Sequence, residues 1–356
     1  MGTVSDWIHS LPPFSEFFPP TPNAYSTLLS IFQYFPVITV FQWLTPFYPQ
    51  GKTSLASSLL NFPGRYAWCF MESIGMFNML YILQTHYQTL PNLLSLMPMW
   101  NQCLVALYLL HYLNRAFVTP LFFAPSMSPI HLIIIMTAVF YNYFNSSCIA
   151  GWLLGYGLPI SSSGEKIGSP NIPPTHPWLV YAPYVGLAIF FIGMYYNISA
   201  ESTLFRLRKE EAHRRQQLQS SSKTNTEKSI YDKVYIIPPP SGLFRSILFP
   251  HYVFEWLEWS GFLLIGLAVT SSPSGQPADA ASTMSYIPLA PYYGPLAKLF
   301  LQKLALPFPF PLVVFLINSI LTTGARAAWG RKWYTQRFGE NAVAGRGAFI
   351  PYFRWL

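Results

Sequence analysis

The chain has 356 residues, 52% of them hydrophobic and only 10% charged, against roughly 25% charged in an average soluble domain. So little charge cannot coat a water-facing surface, which excludes a set of soluble domains and points to one membrane domain. The net charge of +8 comes with no stacked aromatic and basic module and no DNA-reading motif, so no nucleic-acid partner is expected.

The first 24 residues hold no Lys or Arg, and Pro12, Pro13, Pro19 and Pro20 interrupt any apolar run. A cleavable signal peptide is therefore not expected, and targeting rests on the first span. A membrane crossing needs about 20 mostly apolar residues. Such stretches lie near 25–46, 66–86, 96–117, 130–155, 178–197, 252–271 and 300–323. The expected fold class is an all-α membrane protein with about seven transmembrane helices in a single bundle. Prolines inside the first and last spans are tolerable where neighbouring helices satisfy the freed backbone. In the fourth span, Gly151 and Gly155 have the spacing that lets another helix approach closely. Cys69, Cys103 and Cys148 each sit in an apolar run and are odd in number. Packing residues are expected there rather than a disulfide framework.

Basic residues cluster, nine between Arg206 and Arg245 and six between Arg326 and Arg354. Two spans separate these segments, so both emerge on one side, which the positive-inside rule makes the cytosol. Lys52, Arg65 and Arg115 fall on that side as well, and the N-terminus is lumenal. Residues 210–232 are polar and of low complexity, which predicts a mobile cytosolic loop. Ile237-Pro238-Pro239-Pro240-Ser241-Gly242 follows, a rigid and then permissive segment that turns the chain back to the membrane. The remaining polar pieces are short, so any active site must be built by the helices and their cytosolic ends.

Ionisable residues inside a span are costly and usually face a bundle interior or a watery cavity. Glu72 lies about two turns beyond Arg65 in the second span. At the end of the third, His111-Tyr112-Leu113-Asn114-Arg115 puts Tyr112 and Arg115 on one face. Asn197 and Glu201 close the fifth span before Arg206, Arg208 and Lys209, and the sixth opens with His251, Glu255 and Glu258 on one face. Arg65 and Arg115 have two readings, snorkelling anchor or site residue. Glu72 is deep enough that a site role outweighs a purely structural hydrogen bond. Asn145 and Asn197 match the glycosylation sequon, but one lies within a span and the other abuts the cytosolic face, so modification is not expected.

Seven histidines are scattered at 9, 86, 111, 131, 176, 213 and 251. His251 and Glu255 have a ligand-like spacing, but two ligands do not make a site, so no metal is expected. No Gly-x-Gly-x-x-Gly or Walker loop is present. The tail carries Arg326, Arg331, Trp333 and Tyr334, cations for phosphate and flat rings for a base or nicotinamide. A basic amphipathic helix lying on anionic lipid is the equal alternative.

In order along the chain, three runs resemble the C-terminal domain of the steroid 5α-reductase family. They are Asn197…Glu201…Leu207-Arg208-Lys209, then Tyr235-x-Ile237-Pro238…Gly242-Leu243-Phe244, then Pro250-His251-Tyr252…Glu255-x-x-Glu258-Trp259-x-Gly261-Phe262. The tail Arg326-Ala…Trp333-Tyr334…Phe338…Ile350-Pro351 is similar to the end of that domain. Gly64-Arg65-x-Ala67-Trp68-x-x-x-Glu72 and His111-Tyr112-x-x-Arg115-x-Phe117 resemble its N-terminal motifs. The resemblance is strong over roughly 197–262 and 324–352 and partial over 63–118.

The resemblance implies a seven-helix oxidoreductase of the endoplasmic reticulum membrane, C-terminus cytosolic, that uses NADPH to reduce the C4–C5 double bond of a 3-oxo-Δ4-steroid or sterol-like lipid to the 5α product. Residues 1–196 would form a transmembrane half with the substrate-site motifs, and 197–356 a cofactor-binding half integrated into the same membrane domain. By the same resemblance, Glu72 and Tyr112 hold the 3-oxo oxygen. Asn197, Glu201, Arg208, Tyr235, His251, Glu255, Trp259, Arg326 and Tyr334 line the cofactor site, with Arg115 near its phosphates. Hydride attack at the β carbon of an enone drives charge onto the carbonyl oxygen, and a Tyr hydroxyl oriented by a buried carboxyl can stabilise that enolate. The apolar substrate arrives from the bilayer.

The chain departs from the family pattern at several places. Ile236 stands where a basic residue is common, Ser241-Gly242 replaces Gly-Gly, and Ala328-Trp329-Gly330 replaces a His-rich stretch. Ile236 and Gly330 leave the choice between NADPH and NADH open. Related enzymes sharing the C-terminal domain reduce polyprenols or very-long-chain enoyl-CoA, and these are the alternative substrates. A lipid-binding membrane protein or transporter is the alternative outside enzymes, with Glu72, Glu255 and Glu258 as ion-coupling carboxylates, although no internal repeat is found.

Overall fold

The computed structural model describes residues 11–45, 58–89, 97–156, 159–162, 165–168, 176–219, 230–231, 234–269 and 286–353. The architecture is all-α and membrane-embedded. Its principal helices are α1 (Pro22–Phe32), α2 (Phe35–Leu44), α3 (Gly64–Thr89), α4 (Met99–Leu113), α5 (Leu132–Leu153), α6 (Ala182–Gln219), α7 (Pro250–Gly266) and α8 (Phe310–Phe338). Among the described residues, four stretches are long and apolar enough to cross a membrane: 22–44, 132–153, 182–218 and 310–338. The other expected spans correspond to α3, α4 and α7, which are either short or interrupted by polar side chains. Those are the helices that carry Glu72, His111, Glu255 and Glu258.

Prolines begin helices here more often than they bend them. Pro22 opens α1, where the Thr21 hydroxyl oxygen accepts from the Ala24 backbone N–H at 3.3 Å, and Pro36, Pro250 and Pro311 occupy the first turns of α2, α7 and α8. A missing N–H costs nothing at that place. The first expected span is thereby split at Gln33 and Tyr34. The last begins later than expected, after a short helix at Gly294–Lys298 and a π-helical turn at Leu299–Lys303.

Two soluble segments are longer helices than their composition indicated. The predicted loop over 210–232 is helical to Gln219, because Glu211 pairs with Arg214 at 2.8 Å and Arg215 at 2.7 Å, neighbours one turn away. Residues 220–229, like Lys52, lie outside the described residues. The basic tail, expected as a soluble segment beyond the last span, continues α8 without a break to Phe338.

Two small sheets tie the helix ends. β1 (Asn61–Phe62) pairs antiparallel with β2 (Ile130–His131), linking the starts of α3 and α5. β3 (Ile160–Ser162) lies between β4 (Glu165–Gly168), antiparallel to it, and β5 (Ile287–Pro288), parallel to it. The main core gathers Tyr25, Phe32, Tyr108, Trp259, Phe262 and Phe315 from four helices. All three cysteines are unpaired.

Backbone contact between α6 and α7 sets the geometry of the interior. A Cβ added at Gly193 would lie 2.4 Å from the Glu258 backbone nitrogen, and one at Gly261 would lie 2.5 Å from the Gly186 carbonyl oxygen. Small residues at these points let the two backbones touch. Of the pair noted in sequence, Gly151 does admit a neighbour, the Tyr25 ring 2.5 Å from its would-be Cβ. Gly155 instead follows the end of α5 with φ 93°.

Candidate active site

The interior polar cluster is centred on the end of α4. After Leu113 the helix widens into a π-helical segment, Asn114–Phe123, with Pro120 inside it. Such widening shifts the face on which the following side chains lie and often accompanies functional sites. Here it carries Arg115 between two carboxylates from other helices. Arg115 Nε is 3.4 Å from Glu72 Oε1 on α3, and Nη1 is 3.5 Å from Glu255 Oε2 on α7. These separations exceed the roughly 2.7–2.9 Å of a tight charge-assisted hydrogen bond, so the guanidinium is shared loosely between its partners. Its carbon lies 5.3 Å from the Trp68 ring centre, and Trp68 Nε1 donates to the Arg115 carbonyl at 3.1 Å. Arg115 is therefore a member of the interior cluster and not a snorkelling anchor. Arg65 donates to the Ala124 carbonyl at 3.0 Å, at the start of α3.

Beside Arg115, His111 Nδ1 and Glu258 Oε1 are 2.8 Å apart, both buried, and the imidazole packs on Trp259 with ring centres 4.3 Å apart. One residue along, the Tyr112 hydroxyl differs from expectation. It donates to Asn142 Oδ1 at 3.0 Å, while Asn142 Nδ2 donates to the Met71 carbonyl at 2.8 Å. A buried carboxyl was expected to orient this phenol; a carboxamide from α5 does so instead, because Glu72 is turned toward Arg115. Asn145, one turn beyond Asn142, donates to the Tyr108 hydroxyl at 3.3 Å. Two asparagines three residues apart inside a span were the available sign of this network, and the sequon reading of Asn145 passed over it.

A cavity of about 260 Å³ adjoins the cluster. Its walls are Trp68 from α3, His111 from α4, Asn114 and Arg115 from the π-helical segment, Ala124 and residues 126–128, Asn197, Glu201 and Arg208 from α6, and Glu258 from α7. Four of the residues expected at a cofactor site, Arg115, Asn197, Glu201 and Arg208, thus share one cavity. Asn197 Nδ2 also donates to the His251 carbonyl at 3.2 Å, binding α6 to the start of α7. Arg208 donates to the carbonyls of Ser126 at 3.0 Å and Tyr231 at 3.2 Å. Its Nε is buried and has no acceptor in the protein.

Other expected site residues lie elsewhere in the packing. Tyr334 stacks on Phe249 with ring centres 5.9 Å apart and donates to the Ile236 carbonyl at 3.3 Å. Tyr235 packs edge-on against Trp333 at 4.9 Å, with Arg337 5.4 Å from its centre. Neither they nor Arg326, His251 and Trp259 line the cavity. Arg331, expected to offer a cation for phosphate, pairs with Glu340 at 2.7 Å and donates to the Arg346 carbonyl at 2.9 Å. Arg346 is fully buried and donates to the carbonyls of Pro238 at 2.8 Å, Phe244 at 3.1 Å and Val343 at 2.9 Å. These tail arginines fasten the 237–244 turn to the C-terminal segment. Gly242 in that turn has φ +53°, the conformation that a glycine permits. Gly330 is explained by packing, since a Cβ there would meet the Phe249 ring at 2.4 Å. Among the described residues, no three His, Cys, Asp or Glu side chains are placed to share a metal ion.

Fold and site together define a helical membrane protein whose interior holds a phenol, a carboxylate and a guanidinium next to a cavity. Residues 128–272 match the family described as 3-oxo-5-alpha-steroid 4-dehydrogenase. The chain is 26% identical over 315 residues to an uncharacterized protein of Schizosaccharomyces pombe, covering 85% of this chain and 90% of that protein. It is 24% identical over 320 residues to the steroid 5-alpha-reductase DET2 of Solanum lycopersicum, covering 89% and 91%. With the steroid 5-alpha-reductase DET2 of Arabidopsis thaliana it shares 24% over 250 residues, 69% of this chain and 67% of that one. Over residues 128–272 the chain thus resembles the 3-oxo-5-alpha-steroid 4-dehydrogenase family of oxidoreductases.

Proposed function

We propose that this protein reduces the C4–C5 double bond of a 3-oxo-Δ4-steroid or sterol-like lipid to the 5α product with NADPH, in a seven-span bundle of the endoplasmic reticulum membrane with its C-terminus in the cytosol. The observation that carries the reading is the buried group of Tyr112, Glu72 and Arg115 beside a cavity bounded by α3, α4, α6 and α7. An apolar substrate reaching this group from the bilayer would place its one polar atom, the ketone oxygen, near the one phenol of the group.

The cavity residues fit the ribose and phosphate parts of a dinucleotide. Glu201 offers an acceptor for a ribose hydroxyl, Asn197 an amide, and Arg115 and Arg208 positive charge. The buried Arg208 Nε–H, without an acceptor in the protein, supports an anionic or carbonyl group at that wall. When bound there, NADPH supplies the hydride for the β carbon of the enone. Glu255 aims Arg115, and His251 and Trp259 build the wall through a backbone carbonyl and ring packing. Tyr235, Arg326 and Tyr334 are assigned to a part of the cofactor farther from the reacting end.

As the β carbon gains the hydride, negative charge grows on the ketone oxygen. The Tyr112 hydroxyl donates to that oxygen in a site from which water is largely excluded, where a fixed donor is worth far more than in water. Glu72 holds Arg115 close by, so the local field favours an anion at the ketone without a full positive charge against the substrate. Asn197 and the α6–α7 contact keep the cofactor wall rigid against the substrate wall.

The test is direct. Purified full-length protein in detergent, given NADPH and a 3-oxo-Δ4-steroid, should oxidise the cofactor and yield the 5α-reduced steroid. Saturated product from polyprenol or enoyl-CoA substrates alone would reassign the substrate and keep the reductase chemistry. Absence of cofactor oxidation with all three classes would reject the enzyme reading. Replacing NADPH by NADH in the same assay decides which dinucleotide the cavity accepts.

A further inference from the structure

Asn142 is a side chain that neither the family motifs nor the proposed reaction employs, yet it ties the Tyr112 phenol to the α3 backbone next to Glu72. It reaches from α5 with both ends of its amide engaged: Nδ2 on the Met71 carbonyl at 2.8 Å and Oδ1 on the Tyr112 hydroxyl at 3.0 Å. Met71 immediately precedes Glu72, so one carboxamide links the α3 backbone beside the carboxylate residue to the phenol on α4. The orientation of the amide is determined by its surroundings. A flipped amide would set its oxygen against the Met71 carbonyl oxygen, losing that bond and adding a repulsion. The oxygen must therefore face Tyr112, and the phenol proton must point at Asn142.

The Tyr112 ring itself has little room to move. It lies against Tyr108 with ring centres 4.6 Å apart, and a Cβ at Gly75 would stand 3.1 Å from it. Asn142 and Tyr112 are 3% and 4% exposed, so no bulk water competes for the hydroxyl. With the ring confined, rotation about the C–O bond is the soft freedom left to the phenol.

We propose that Asn142 is the positioning residue of the ketone site: it holds the Tyr112 hydroxyl in reach as a parked donor, and that hydroxyl rotates from the Asn142 oxygen to the substrate ketone. No covalent bond is made or broken in this exchange. The phenol keeps its proton and changes acceptor, so the donor arrives pre-aimed instead of being recruited from a disordered state. This inference rests on Tyr112 acting at the ketone.

A double-mutant cycle tests it, with turnover of a 3-oxo-Δ4-steroid at saturating NADPH and thermal unfolding measured for each protein. Asn142→Leu should lower kcat on the order of tenfold and change KM less than about twofold. In a Tyr112→Phe background the same substitution should cost nothing further, since the hydroxyl through which it acts is gone. An equal tenfold loss in both backgrounds would overturn the proposal, as would an unchanged kcat in Asn142→Leu. Asn142→Ala carries the same cycle if the leucine variant does not fold, with the same outcomes. Unchanged turnover in Tyr112→Phe alone would instead reject the assignment of Tyr112 to the ketone, a separate failure visible in the same experiment.

Discussion

Arginine does different work at the two ends of this molecule. In the interior, Arg115 stands 3.4 and 3.5 Å from two carboxylates and lines a cavity. In the tail, Arg331 and Arg346 make bonds of 2.7–2.9 Å to Glu340 and to backbone carbonyls. A guanidinium drawn into such short bonds to the fold is less available to a ligand. One loosely shared between acids can be redirected at smaller cost, because no tight charge-assisted hydrogen bond has to be broken. Positive charge near a site is therefore not evidence of phosphate binding until its hydrogen bonds are counted.

The sharpest way to break the comparison is at the interior. Tyr112→Phe and Glu72→Gln should each lower turnover by about 10²–10³-fold, the scale of losing one preorganised donor to a developing oxyanion, with thermal unfolding midpoints close to the parent. A large fall in stability and a small one in turnover would move these residues to the structural class.

Arg346→Met should show the opposite balance. It strands several buried carbonyls, each costing about 1–3 kcal/mol, so the unfolding midpoint should drop by several degrees while the steroid KM stays near the parent value in protein that remains folded. An unchanged midpoint would refute the fastening role.

Gly193→Ala probes the contact that brings the α6 and α7 residues together. Its new methyl would meet the Glu258 backbone at 2.4 Å, and overpacking of this kind costs about 1–3 kcal/mol. Weaker cofactor affinity together with a lower midpoint is expected, and retention of both would show that α6 can shift freely. The smallest effect belongs to the exposed end of α6. Glu211→Gln removes two surface ion pairs with Arg214 and Arg215, and neither turnover nor midpoint should change measurably, since exposed pairs contribute little.

Much of the site was legible in the chain because ionisable residues inside apolar runs are individually conspicuous. Glu72, Tyr112, Arg115, Asn197, Glu201 and Arg208 were singled out, and the last four line one cavity. Less legible were the partners. Asn142 has no charge and sits in an apolar run, where its three-residue spacing from Asn145 is the one local sign of a shared network. Arg346 lies in a Gly-rich tail, and its burial depends on Pro238 and Phe244, more than 100 residues earlier. The extension of α6 to Gln219 is hidden by its low-complexity polar composition, although the i,i+3 and i,i+4 charge pairs that favour a helix are present in it.

By itself the sequence determined that this is a helical membrane protein and where its costly polar residues lie, because hydrophobic length and the expense of buried charge are properties of short stretches of chain. The tertiary structure decided which of those residues meet. A hydrogen bond such as Tyr112 to Asn142, or an ion pair such as Arg115 with Glu72 and Glu255, depends on how far each helix is rotated and how closely it approaches its neighbours. Contacts such as Gly193 against Glu258 and the π-helical turn after Leu113 determine those rotations.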